Sequence, residues 1–172
     1  VYDYHYNRIY EYENYDYELK SLNNNFDVEE AQLSDGMLVK IKEWEGLYLE
    51  AYYCESDVLT IGYGHTGDVY EGQTCSEEEA EEYLRQDMKY FEDKVKEYSQ
   101  NGIIEFDLNQ NQFDALVSLA FNCGEGSLKE LTQGREPEEI AEIIPKYSCD
   151  LYGRVQPGLA IRRNAEAEWF MS

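Results

Sequence analysis

A glutamate beside a tryptophan is the strongest candidate for acid–base chemistry in this sequence. From Ser34 onward, apolar side chains recur at helical spacing and place Glu45 at the edge of an apolar stripe of Met37, Leu38, Ile41 and Trp44. Apolar surroundings disfavour the charged form of a carboxylic acid, so a glutamate there can keep a proton to donate near neutral pH. The alternative is a glutamate that reaches into solvent at a helix end, since Gly46 predicts the end of this helix.

Two further residues follow Glu45 at defined spacing, within motifs that extend along the chain. Eight residues separate Glu45 from Cys54, and five separate Cys54 from Thr60. The motifs are Trp44-Glu45-Gly46-Leu47, Thr60-Ile61-Gly62-Tyr63-Gly64-His65-Thr66, and the segments 76–87, 112–117, 121–124 and 158–163. In this order, over about residues 34–171, they resemble the phage-type lysozymes, the endolysin family of glycoside hydrolases.

The resemblance implies a muramidase that hydrolyses the β-1,4 bond between N-acetylmuramic acid and N-acetylglucosamine in bacterial peptidoglycan. In that family a glutamate protonates the leaving oxygen, while an aspartate and a threonine hold a water on the other face of the sugar, which is inverting chemistry. Glu45 matches the glutamate and Thr60 the threonine.

Cys54 departs from the family pattern because it stands where the aspartate is usual. A thiolate can accept a proton or stabilise positive charge, whereas a neutral thiol does either poorly. The neighbouring carboxylates of Glu55 and Asp57 are expected to disfavour the thiolate. The sequence therefore predicts catalysis by Glu45, Cys54 and Thr60, with Cys54 as its weakest member.

Other residues are assigned by the same resemblance. His65 and Asp87 are expected to form a structural ion pair, and Thr66, Phe121 and Ser127 are candidate sugar contacts. Three arginines have two interpretations, contacts to peptide carboxylates of the wall or structural salt bridges: Arg154, Arg162 and Arg163.

The elements that must position these residues predict an α+β, lysozyme-like fold with two lobes. The sheet lobe is expected over 34–75, with strands over 47–53 and 58–61, followed by a connecting helix over 76–99 with a capping box at its start. A helical lobe over 100–172 completes the catalytic domain. A cleft between two such lobes is where a ligand is expected.

Residues 1–33 lie outside the resemblance. Seven of the first seventeen residues are tyrosine, and their period of two suits a short hairpin. We interpret this acidic, tyrosine-rich segment in one of two ways, as an arm whose rings contact another protein or domain, or as a linker from a larger protein, which is the favoured alternative.

Composition excludes several classes of function. The formal charge of −23 argues against nucleic-acid binding, because few cations are available to neutralise phosphates. No apolar run approaches the ~18 residues of a membrane span, and nothing predicts a metal or cofactor. The four cysteines form no CxxC pair, which argues against a zinc-ribbon or thioredoxin-like site. Their even number permits disulfides, but free thiols are favoured, with Cys75, Cys123 and Cys149 expected to be buried.

The sequence is also compatible with two alternative functions. One is a lytic transglycosylase on the same scaffold, which needs the glutamate but no positioned water. The other is a weakly active wall-binding or structural module. The expected site of action is the bacterial cell wall, reached by secretion, phage release or a virion.

Overall fold

The computed structural model describes residues 26–54, 56–149 and 153–172. The tyrosine-rich hairpin expected in the first seventeen residues, and Glu55, lie outside these ranges. The elements in chain order are α1 (Asp35–Glu45), β1 (Tyr48–Tyr53), β2 (Leu59–Gly62), α2 (Glu77–Gln100), α3 (Gln110–Cys123), α4 (Glu125–Thr132), α5 (Pro137–Ile143), a 3₁₀ segment (Ile144–Ser148) and α6 (Pro157–Phe170).

The first helix begins and ends where the sequence predicts. The Ser34 side chain accepts a hydrogen bond from the Met37 amide, which satisfies one of the free N–H groups of the first turn. Gly46 ends α1 with a φ of 73°, a conformation that a side chain disfavours, and its N–H donates to the Lys42 carbonyl. This sharp end leaves Glu45 as the last residue of the helix, directly before the sheet.

The sheet consists of two antiparallel strands. Tyr48 lies opposite Gly62 and Tyr52 lies opposite Thr60. Gly62 has a φ of 66°, and a Cβ placed on it would lie 3.1 Å from the Cβ of Ala80. The absence of a side chain therefore lets β2 pack directly on α2, which fixes the sheet to the long helix.

The long helix α2 joins the sheet to the remaining helices. Ser76 and Glu79 form the predicted capping box at its start. Its 24 residues span roughly 36 Å at ~1.5 Å per residue. The architecture is α+β and lysozyme-like, as the sequence predicts. None of the helices in the described part of the chain is long and apolar enough to cross a membrane.

The core of the helical part is α3, which contacts α1, α2, α4 and α6. Every residue from Phe113 to Ala120 is buried. The described residues of the N-terminal arm also pack here, since Ala31 and Leu33 are buried and the ring centroids of Phe26 and Phe113 are 6.0 Å apart. The packed part of the chain therefore begins at least as early as Phe26.

A buried ionic network fastens α6 to α3. The Glu166 carboxylate, fully buried, accepts hydrogen bonds from the Ser118 hydroxyl at 2.6 Å, from Arg162 Nε at 3.1 Å and from Arg163 Nη1. Arg163 is also fully buried, and it donates to the side chain of Asn122 as well. Buried charges are tolerated only when they are paired and hydrogen-bonded in this way.

Replacing Glu166 with glutamine tests this network, because the amide keeps the volume but leaves the buried guanidinium of Arg163 without a carboxylate partner. We expect Glu166→Gln to lower the free energy of unfolding by about 3–5 kcal/mol, as when one member of a buried ion pair is removed. Urea titration measures the loss. The control is Glu168→Gln, an identical change at an exposed position of the same helix. Equal unfolding midpoints for the two variants would contradict the role of Glu166.

Candidate active site

Glu45 is held at the junction of the sheet and the helices by an arginine 117 residues later in the chain. Arg162 Nη1 donates a hydrogen bond to Glu45 Oε1 at 2.6 Å. The Arg162 side chain is 5% exposed and that of Glu45 is 22% exposed. The guanidinium carbon of Arg162 also lies 5.0 Å from the centre of the Trp44 ring, a cation–π arrangement. The carboxylate is thus fixed at one oxygen while part of it reaches solvent.

The purely apolar surroundings that the sequence predicts for Glu45 are not what the structure shows. The apolar stripe on α1 faces the core through Met37, Leu38 and Ile41, which are all buried. Glu45 itself leaves that core and meets a charged partner. The difference arises because Arg162 belongs to α6, and no local spacing in the sequence places it beside α1.

The second oxygen of Glu45 faces the loop after β2. A Cβ placed on Gly64 would lie 3.9 Å from Glu45 Oε2, and the φ of Gly64 is 96°. This glycine lets the loop approach the carboxylate without a side chain in between. Oε2 is therefore the oxygen available to a ligand, since Oε1 is engaged by Arg162.

A cavity of about 640 Å3 opens beside Glu45 on the helical side. Its walls come from α1, the end of α3 and the start of α6: Glu43, Trp44, Glu45, Asn122, Gln156, Gly158, Leu159, Ile161 and Arg162. A cavity with an apolar wall and a few polar groups is typical of small-ligand and sugar sites. The candidate acid lies at its edge.

Cys54 and Thr60 lie on the sheet side of the same junction. Cys54 directly follows β1 and is half-exposed, whereas Thr60 in β2 is only 4% exposed. Hydrogen bonds from the backbone N–H groups of Val58 and Ser56 lower the pKa of the Cys54 thiol. The turn after β1 aims N–H groups at the sulfur, which favours the thiolate. The opposing effect expected of the neighbouring acids Glu55 and Asp57 stays a prediction.

The Thr60 hydroxyl has one proton and two acceptors near it. Thr60 Oγ1 lies 2.9 Å from the Val58 carbonyl oxygen, and its side chain is also hydrogen-bonded to Cys54. When the proton is donated to the Val58 carbonyl, the oxygen of Thr60 and the sulfur of Cys54 both present lone pairs. Two acceptors side by side can hold a water by its two protons.

Two tyrosines of β1 complete this side of the site. The ring centroids of Tyr48 and Tyr52 are 4.4 Å apart at an interplanar angle of 36°. Burial raises the pKa of Tyr52, and the charges of Tyr48, Cys54 and Glu45 raise it further. The Tyr52 phenol is therefore within electrostatic reach of both Cys54 and Glu45, although nothing in the sequence motif singles it out.

His65 and Asp87 join the loop after β2 to the long helix. His65 Nδ1 lies 2.9 Å and 3.0 Å from the two carboxylate oxygens of Asp87. The His65 ring stacks on Tyr83 with a centroid distance of 4.8 Å. These contacts hold the loop that carries Gly64 in place opposite Glu45.

The three candidate sugar contacts occupy different positions. Thr66 is exposed in the loop after β2. Phe121 packs edge-on against Phe91 at a centroid distance of 5.7 Å, and the Ser127 hydroxyl donates to the Cys123 carbonyl at 2.9 Å. The cavity beside Glu45 is lined by Asn122, the neighbour of Phe121, rather than by these three residues.

The three candidate arginines differ in their burial and partners. Arg162 and Arg163 are internal salt-bridge residues, and Arg154 is exposed in the loop before α6.

All four cysteines are free thiols. Cys75 is buried, as expected, but Cys123 is only partly buried and Cys149 is exposed, so the expectation of three buried cysteines is wrong for these two. No group of three or more metal-ligating side chains occurs within residues 26–54, 56–149 and 153–172.

Sequence reasoning missed the pairing of Arg162 with Glu45. The sequence did contain a signal for a salt bridge within α6. Glu166 follows Arg162 by four residues and Arg163 by three, and both spacings place the charges on one helix face. Their acceptor partners on α1 and α3 carry no such signal.

Comparison with known proteins identifies the family. The sequence model of phage lysozymes matches residues 42–166, which include Glu45, Cys54 and Thr60. The chain is 36% identical over 148 residues to an endolysin of Acyrthosiphon pisum secondary endosymbiont phage 1, covering 81% of this chain and 98% of that protein. It is 39% identical over 150 residues to an endolysin of Bacillus phage PZA, covering 82% of this chain and 55% of that protein.

A solved structure agrees with these relatives. The muramidase domain of SpmX from Asticaccaulis excentricus superposes with a TM-score of 0.71 at 31% identity, covering 82% of this chain and 98% of that one. The chain spans about half the length of the Bacillus phage PZA endolysin but nearly all of the other two. The chain therefore belongs to the phage lysozyme family, and it is a lysozyme-type glycoside hydrolase that acts on peptidoglycan.

Proposed function

We propose that the chain hydrolyses the β-1,4 bond from N-acetylmuramic acid to N-acetylglucosamine with inversion, using Glu45 as general acid and Cys54 with Thr60 to hold the attacking water. The observation that carries this proposal is the fixed carboxylate of Glu45. One oxygen is held by Arg162, and the other lies toward Gly64 in the loop after β2. The muramidase domain among the structural relatives supports this substrate.

Glu45 would donate its proton from Oε2 to the glycosidic oxygen as the bond breaks. The carboxylate that remains is stabilised by the hydrogen bond from Arg162, which is already in place before the reaction. Because Arg162 is itself held by Glu166 and stacked on Trp44, little reorganisation is needed during proton transfer.

The water would approach from the sheet side. Thr60 Oγ1 and the Cys54 thiolate would accept hydrogen bonds from its two protons, which leaves a lone pair free to attack the anomeric carbon. As the new C–O bond forms, one of these protons passes to the thiolate, which becomes a thiol. The thiolate also places negative charge near a sugar that becomes positively charged in the transition state. Acid and water on opposite faces of the sugar give inversion of configuration.

Glu45→Gln should keep the fold, because the amide nearly matches the carboxylic acid in size, but it removes the proton donor. We expect turnover to fall at least about 100-fold, the lower range for loss of a general acid. Clearing of a peptidoglycan suspension measures it, with Glu168→Gln as the control for an equal change in charge. A glutamine variant that keeps most of the activity would refute the role of Glu45.

Cys54 is tested through the pH dependence of activity. As pH falls through the pKa of Cys54, the thiolate becomes a neutral thiol and activity should fall. Cys54→Asp replaces the thiol with a carboxyl of ordinary pKa about 3.9, so this acid-side decline should move to lower pH while neutral activity is kept or improved. Cys54→Ala should cost more than Cys54→Asp and less than Glu45→Gln.

The control for Cys54 is Cys149→Ala, which removes an exposed thiol. Its pH profile should match that of the parent chain. A small thiol reagent should inhibit the Cys149→Ala protein but spare the activity of Cys54→Asp. If Cys54→Ala is fully active, then Cys54 only packs, and Asp57 is the first carboxylate to test as its replacement.

The products separate hydrolysis from the lytic transglycosylase alternative. In water enriched in oxygen-18, the new ends should carry one labelled oxygen, because the positioned water enters the product. Mass spectrometry of the released fragments measures this label. Anhydro ends, lighter by one water and unlabelled, would instead support the transglycosylase reaction.

A further inference from the structure

The rings of Tyr48 and Tyr52 on β1 lie beside each other at the surface of the sheet. Tyr48 is 50% exposed and Tyr52 is half-buried, and both lie outside the main core. Their rings contact each other at 4.4 Å on one face of a two-stranded sheet. Tyr53, the next residue, is also exposed, but its hydroxyl donates to Glu71 at 2.6 Å.

The register of the sheet places Tyr52 with the catalytic candidates. Tyr52 lies directly opposite Thr60 in the antiparallel pair, and such partners share one face of a sheet. Cys54 follows two residues later, at the spacing that returns to the same face. The phenol also lies within electrostatic reach of Glu45. Tyr52 therefore shares one face of the sheet with Thr60 and Cys54, the two residues proposed to hold the water.

The hydrogen-bonding capacities of these groups differ. At the site, the Cys54 sulfur accepts hydrogen bonds from backbone N–H groups, the Thr60 proton has the Val58 carbonyl as partner, and the Arg162 guanidinium is engaged by Glu45 and Glu166. Burial and the nearby negative charges raise the pKa of Tyr52, so its phenol keeps its proton. Tyr52 thus offers a donor beside acceptors, and an N-acetylated sugar presents carbonyl and hydroxyl oxygens that need one.

We propose that Tyr52 is a substrate-contacting residue that binds the pyranose next to the scissile bond, with its ring against the sugar and its hydroxyl donating to an oxygen of that sugar. Tyr48 supports it by holding the ring orientation. Aromatic side chains suit this role because they combine a large apolar face with a polar end. The inference rests on the proposed glycan hydrolysis and adds a specificity-determining residue to it.

The test compares Tyr52→Phe and Tyr52→Leu with the matched pair Tyr53→Phe and Tyr53→Leu. Loss of one neutral hydrogen bond should raise the KM for peptidoglycan about three- to tenfold in Tyr52→Phe, with kcat changed less. Tyr52→Leu also loses the ring face and should raise KM by about 30-fold. Both Tyr53 variants should keep the parent KM, because the Tyr53 hydroxyl of the parent chain donates to Glu71 rather than to the sugar.

Binding separates a substrate contact from a fold effect. In the Glu45→Gln background, calorimetry with a tetrasaccharide of alternating N-acetylglucosamine and N-acetylmuramic acid should show weaker affinity for Tyr52→Phe, while the urea unfolding midpoint stays unchanged. Active Glu45→Gln protein would overturn the proposed function itself. Inactive Glu45→Gln protein whose tetrasaccharide affinity is the same with tyrosine, phenylalanine or leucine at position 52 would overturn only the role of Tyr52.

Discussion

The guanidinium of Arg162 is the contact on which the rest of the site depends. It bridges two carboxylates, Glu45 on α1 and Glu166 on its own helix, and it stacks on Trp44. Its side chain is 5% exposed, so its charge is almost fully removed from water. A desolvated charge is costly unless every partner is in place, and this cost is what makes the geometry specific.

The network couples stability to catalysis. Glu166 and Arg163 are completely buried and fasten α6 to α3, and Arg162 extends this network to the candidate acid. Each of the two carboxyl groups, Glu45 and Glu166, has a guanidinium partner in this network. A change that displaces Glu166 is therefore expected to shift Glu45 as well, because Arg162 is hydrogen-bonded to both.

The sheet contributes in a different way. Its main contact to the helices is through Gly62, whose missing side chain lets β2 rest on Ala80 of the long helix. The turn after β1 then directs backbone N–H groups at Cys54, and these hydrogen bonds lower the pKa of its thiol.

The sequence by itself determined the elements, the family and the candidate catalytic residues. Capping at Ser34 and Ser76 and the glycine that ends α1 are local effects that act over a few residues. The tertiary structure alone decided the partner of Glu45, the state of Cys54 and the place of Tyr52. These features depend on contacts between residues far apart in the sequence, or on the direction of backbone N–H groups in a turn. Neither kind of contact produces a periodic pattern in the sequence.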